Sequence, residues 1–164
     1  MSKNYILSAD KAKMKMQRMA YEILERNNGI KKIHLAGIMD NGLLMAELLK
    51  SILLEVSNLE VDVIPLKMDK SSSTPPDLDK ILWKDISHVI VIDDVVNSGK
   101  TLMYALLPFL SKGISRIQTL TLVERSYKTY PVHVDYVGVS LATTLEDHIQ
   151  VEFIEGVIAG AYLH

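Results

Sequence analysis

Apolar residues along the chain fall into two alternating patterns. Compact, largely β-branched runs occur at residues 33–38, 61–66, 89–92 and 116–123. Each reads as a strand, and residues 89–92 are too short for a helix and fit one buried on both faces. Between them lie stretches with helical spacing. Ala12, Met16, Met19, Ala20, Ile23 and Leu24 recur every three or four residues with lysines and arginines between them. A helix is expected there, capped by Ser8 and stopped near Gly29. Residues 43–56 predict a strongly apolar helix, and residues 102–110 another. Pro108 inside the latter is expected to kink it or end it early, with Gly113 closing the segment. Tyr5, Ile6 and Leu7 suggest a short first strand, and residues 149–154 alternate as a last one.

Strands and helices taking turns define an α/β fold: a doubly wound, mostly parallel sheet with helices on both faces. No internal repeat or linker interrupts the rhythm, so residues 1–164 read as one domain. In such sheets ligands bind beyond the carboxyl ends of the strands. Two glycine-bearing turns fall there, at residues 37–42 and 93–101. The one clear loop, residues 67–80 (KMDKSSSTPPDLDK), is rich in Ser and Pro and poor in apolar residues. It reads either as an ordinary exposed connection or as a lid that excludes water from a reactive intermediate.

Composition narrows the setting. A chain of 164 residues, 48% of them apolar, suffices for a sizeable core. Cysteine is absent, which excludes disulfide and thiol chemistry and makes a reducing cytoplasm the expected compartment. No apolar run approaches membrane-spanning length and no secretory signal is seen, so no membrane partner is expected. Net charge is only −2, but residues 1–32 hold 8 Lys/Arg against 3 acids and the remainder 10 against 17. That basic stretch reads as a solvated helix face or, alternatively, as a surface for an anion or RNA. The five histidines show no metal-ligand spacing.

The sharpest chemistry lies in residues 88–102, HVIVIDDVVNSGKTL. A buried strand ends in Asp93 and Asp94, then a polar turn, Asn97, Ser98, Gly99, Lys100 and Thr101, leads into a helix. Free amides at a helix start carry partial positive charge and bind phosphate. Gly99 allows close approach, and Ser98 and Thr101 add hydroxyl donors. Paired carboxylates suit the vicinal hydroxyls of a ribose or a hydrated magnesium ion. Ser-Gly-Lys-Thr also looks like the end of a P-loop, but that motif needs glycine where this chain has Asp94.

The run Asp93, Asp94, Val95, Val96, Asn97, Ser98, Gly99, Lys100, Thr101 closely resembles the 5-phosphoribosyl-1-pyrophosphate (PRPP) signature of type I phosphoribosyltransferases. With AYEILERNNG (20–29), LAGIMDNG (35–42) and LVERSYKTYPVHVDYVG (122–138), the likeness covers nearly the whole chain. It is nearest to the pyrimidine-operon regulator and uracil phosphoribosyltransferase group. The resemblance implies a small hood made by the chain ends and a mobile catalytic loop at residues 67–80. It implies Asp93 and Asp94 on the ribose hydroxyls and on magnesium, and residues 97–101 around the 5′-phosphate. It also implies a pyrophosphate turn at Met39, Asp40, Asn41 and Gly42, Tyr136 stacked on a base, the Val137 backbone on that base's polar edge, and a homodimer.

Departures from the family pattern refine this. Purine-specific relatives carry a carboxylate at position 97 and a lysine at 124, where this chain has Asn97 and Glu124. An amide is not a proton acceptor, so hypoxanthine or guanine is disfavoured. Uracil-type relatives carry basic residues in the earlier turn, where Met39, Asp40 and Asn41 stand. A negative side chain beside pyrophosphate is unfavourable unless magnesium mediates. Loop 67–80 is short and lacks arginine and tyrosine. Two functions follow: transfer of phosphoribose from PRPP to a pyrimidine such as uracil, in nucleotide salvage, or regulation of pyrimidine genes by a catalytically weak PRPP- or nucleotide-binding protein that binds RNA. An ordinary doubly wound domain with an unrelated ligand is the third reading.

Overall fold

The computed structural model describes residues 3–72, 74–144 and 146–164. Met1 and Ser2 of the basic stretch, Ser73 of loop 67–80, and Leu145 lie outside the described residues. In chain order the elements are β1 (Asn4–Ser8), α1 (Ala9–Arg26), β2 (Lys32–Ile38), α2 (Asn41–Val56), β3 (Glu60–Leu66), a short 3-10 turn (Trp83–Asp85), β4 (His88–Val96), α3 (Lys100–Ser111), β5 (Arg116–Arg125), β6 (Tyr136–Leu141), β7 (Ile149–Ile154) and β8 (Val157–Leu163).

Strands β3-β2-β4-β5-β6 form a five-stranded parallel sheet in that order. Strand parity sends alternate residues to opposite faces. Ile90 and Ile92 pack with Met16, Met19, Met45 and Leu49 of α1 and α2. Val89 and Val91 pack with Leu102, Ala105 and Phe109 of α3. Helices thus cover both faces, as the alternation predicts. The chain ends make a second sheet, antiparallel, in the order β1-β8-β7. This is the expected hood.

The first helix follows its pattern closely. Ser8 Oγ accepts from Lys11 N at 3.3 Å, and Ala12, Met16, Met19, Ala20 and Ile23 are all buried. The methionine stripe is therefore core. Three boundaries differ from expectation. Helices α2 and α3 begin at Asn41 and Lys100, ahead of the expected Leu43 and Leu102. Lys100 and Thr101 thereby join the first turn of a helix. Pro108 does not end α3 early, because it removes a single donor and the helix continues to Ser111. The strand β8 was not legible from the sequence pattern; its partners are strands at both ends of the chain. Among the described residues no helix is long and apolar enough to cross a membrane.

Candidate functional site: the carboxyl ends of the central strands

Strand β4 is central in the sheet and delivers both aspartates almost fully buried, Asp93 at 2% and Asp94 at 8% exposure. Parity separates their side chains. Asp93 faces a cavity of about 100 Å³ lined by Lys70, Val95, Val96 and Asn97 to Leu102. Asp94 turns toward the earlier turn, where Asn41 Nδ2 donates to its Oδ2 at 2.8 Å. The same amide donates to Val151 O of the hood at 3.1 Å. One asparagine therefore joins the second strand-helix turn, the signature strand and the hood. The peptide between Met39 and Asp40 in that turn is cis.

Asp93 accepts from the Asp94 amide at 3.0 Å, and Lys70 Nζ lies 3.4 Å from its Oδ1. Burial pushes the Asp93 carboxyl up to about 7; the Lys70 charge pulls it down and the neighbouring Asp94 pushes it further up.

The turn after β4 owes its shape to Gly99. Its φ is +85°, and a Cβ there would lie 2.6 Å from Val132 Cγ1. A side chain is excluded both by conformation and by space. Ser98 O accepts from the amides of Thr129 and Tyr130 at 3.0 and 2.9 Å, which braces the turn from behind. Ser98 Oγ accepts from Lys100 N at 3.2 Å, and the cap residue Gly99 contributes no side chain.

Arg125, at the end of β5, was not singled out from the sequence for a role. Its Nε donates to Asn97 Oδ1 at 3.3 Å, one Nη donates to Thr144 O at 2.8 Å, and the other to Asp147 O. It ties the segment between β6 and β7 to the signature turn. The signal available was an arginine closing a strand whose carboxyl end points at the site.

Tyr136 and Val137 require a correction. Tyr136 is completely buried and opens β6, opposite Leu120 in mid-β5, so it sits away from the carboxyl end of its strand. Its hydroxyl donates to Gln118 Oε1 at 3.0 Å and accepts from Asn27 Nδ2 at 3.1 Å. The Arg26 guanidinium lies 5.0 Å from its ring centre. No face of the ring is free for a base. The Val137 carbonyl accepts from Arg18 at 2.9 Å. The Asp-Tyr-Val-Gly sequence has a packing explanation instead. Asp135 Oδ2 accepts from Thr119 N at 2.9 Å, and a Cβ on Gly138 would collide with Leu122 O.

Fold and site define a doubly wound α/β protein whose candidate pocket sits where a buried acidic strand end turns into a helix. The chain belongs to the phosphoribosyl transferase domain family, whose pattern matches residues 2–154. It is 32% identical over 161 residues to the bifunctional protein PyrR of Streptococcus thermophilus (strain CNRZ 1066), covering 92% of this chain and 90% of that one. It is 33% identical over 149 residues to the bifunctional protein PyrR of Streptococcus pneumoniae (strain CGSP14), covering 87% and 86%. Among solved structures, a hypoxanthine-guanine phosphoribosyltransferase of Bacillus anthracis superposes with a TM-score of 0.75 at 19% identity, covering 98% of each chain. The hypoxanthine phosphoribosyltransferase of Trypanosoma cruzi gives 0.74 at 15% identity, covering 85% of this chain and 82% of that one. These two likenesses concern the fold.

Proposed function

We propose that this protein transfers 5-phosphoribose from PRPP to a pyrimidine such as uracil, as a cytoplasmic homodimer in nucleotide salvage. The observation that carries the reading is the buried Asp93 facing a small cavity whose wall is the Asn97–Thr101 turn. First-turn amides and the Ser98 and Thr101 hydroxyls hold the 5′-phosphate. A pentose seated across the strand end meets Asp93 on one side and Asp94 on the other. The pyrophosphate lies toward Met39, Asp40, Asn41 and Gly42. The base sits beside Asn97, under the segment 142–148 that Arg125 holds, rather than on Tyr136.

A ring nitrogen of the base attacks the anomeric carbon, the bond to pyrophosphate breaks, and pyrophosphate departs with the electron pair. The nitrogen's proton is lost to solvent. The chain supplies orientation and fixed dipoles around an oxocarbenium-like sugar, and no covalent nucleophile is needed. Asp93 and Asp94 offer hard oxygen donors of the kind magnesium takes, on opposite sides of β4, so one carboxylate at a time would hold the ion. Among the described residues no group of three or more acidic or histidine ligands is gathered; substrate oxygens and water would supply the remaining positions. When bound, the ion neutralises the leaving pyrophosphate.

Mixing the protein with PRPP, magnesium and a panel of bases, and following nucleotide formation, tests this. Turnover with uracil is expected; turnover with hypoxanthine alone contradicts the base assignment. Asp40 in the pyrophosphate turn favours a second reading, a weakly active PRPP- or nucleotide-binding regulator of pyrimidine genes that binds RNA. Its marks are nucleotide binding without turnover and salt-sensitive RNA retention. Two arginines of α1 are engaged within the fold. Arg18 pairs with Glu22 and caps the Val137 and Gly138 carbonyls, and Arg26 donates to Asp135 O.

A further inference from the structure

Lys70 belongs to the stretch between β3 and the 3-10 turn, which carries no helix or strand among its described residues. Its ammonium nevertheless reaches the most buried acid of the pocket, 3.4 Å from Asp93 Oδ1. The lysine side chain is 48% exposed and the aspartate 3%. A long flexible side chain therefore enters from water to touch a fixed, desolvated carboxylate. The contact is presented by local structure. Asp69 Oδ1 accepts from Ser71 N at 2.9 Å and Ser71 Oγ at 2.6 Å, and Asp69 O accepts from Ser72 N at 3.2 Å, forming a tight turn around Lys70.

Charge makes the contact specific. Two acids lie side by side, and the partner of Asp94 is the neutral amide of Asn41. Among the described residues Lys70 is the one cation within ion-pair distance of either acid. Lys70 also lines the same cavity as Asn97 to Thr101. A pentose phosphate that places its phosphate on that turn and its hydroxyls on Asp93 needs the oxygen that Lys70 holds.

We propose that Lys70 is a tethered competitor: it occupies the pentose position on Asp93 until substrate expels it, so that filling the pocket releases the 69–72 turn. This rests on the PRPP reading of the pocket. Expulsion converts occupancy of a small site into movement of the loop above it.

The test titrates ribose 5-phosphate, at fixed magnesium, into wild type, Lys70→Met and Lys70→Arg. Acylation of individual lysines is followed by mass spectrometry in parallel. Lys70→Met is expected to bind about 1.5-fold to fivefold tighter, the range for a partly exposed ion pair. Lys70→Arg, which keeps the charge, stays near wild type. Saturating ligand speeds acylation of Lys70 and leaves Lys84 unchanged. Equal or weaker binding by Lys70→Met, or slower acylation of Lys70 with ligand, overturns the competitor alone. Absence of binding to wild type and both variants overturns the pocket reading together with it.

Discussion

Toward one end of the central sheet, Asn27, Gln118 and Tyr136 are buried and bonded to one another; at the carboxyl end, Asp93 and Asp94 are buried side by side. The first cluster is neutral. Asn27 Nδ2 reaches Ile23 O, Gln118 Oε1 and the Tyr136 hydroxyl at 2.9, 3.0 and 3.1 Å. One acceptor, Asn27 Oδ1, lacks a partner there. The second cluster is charged, places two acids in adjacent positions, and relies on a loop lysine for its nearest cation. Buried polar groups that satisfy each other stabilise a fold. Adjacent buried acids do not, and at a strand end beside a cavity they are what the proposed ligand site rests on. Burial alone does not separate the two, nor does a full set of bonds, since the unpartnered acceptor lies in the neutral cluster; the adjacent acids do.

The strongest way to break this contrast is to neutralise the open cluster. Asp93→Asn with Asp94→Asn is expected to weaken PRPP binding by about 100-fold or more, from the loss of hydrogen bonds to charged acceptors. The melting temperature should hold or rise, because a buried like-charge pair is gone. Retained affinity would show the carboxyl-end cluster to be structural. The reciprocal change is Asn27→Ala. It leaves Gln118 and Tyr136 short of a donor and is expected to cost about 2 kcal/mol of stability in a denaturant melt, with PRPP affinity unchanged.

The pH response sharpens the same contrast. Asp93 stands near 7 in the folded protein against an ordinary 3.8, so the native state holds a proton that the unfolded chain releases. Its contribution to stability is complete below about pH 4 and is lost as the pH rises through 7. Melts of the ligand-free protein should show this decline, and Asp93→Asn should flatten it. Asp62, Asp69 and Asp147 are all held below the ordinary value by hydrogen bonds, and their contributions are lost only on acidification below that value. The two windows do not overlap.

Smaller effects complete the series. Tyr136→Phe is expected to cost about 1 kcal/mol and to leave nucleotide binding within error; a large loss of uridine monophosphate affinity with intact stability would give its hydroxyl a role at the ligand. Arg125→Met loosens the 142–148 segment from Asn97. It should weaken uridine monophosphate by about threefold while ribose 5-phosphate binds as before, since one partly exposed polar link is removed.

Where a pattern is local, the chain could be read directly. The strand-acid-acid-turn-helix order of residues 89–102 needs neighbours within a few positions, and the helical stripe of α1 repeats over short spacing. Both appear as expected. What escaped depends on distant partners. Asn41 meets Asp94 across 53 positions, Lys70 meets Asp93 across 23, and β8 exists as a strand between β1 and β7. Tyr136 shows the other limit. Its four-residue context suggests a ligand contact, yet which face and which end of the strand it occupies is decided by register against β5. That information lies in Gln118 and Asn27, far from the motif.

A structure of the protein with PRPP and magnesium bound tests the central claim most directly. The account predicts the 5′-phosphate on the amides between Ser98 and Thr101, pentose hydroxyls on Asp93 and Asp94, and Lys70 moved off Asp93. A phosphate bound elsewhere, or Lys70 still seated on Asp93 beside a bound sugar, would contradict it.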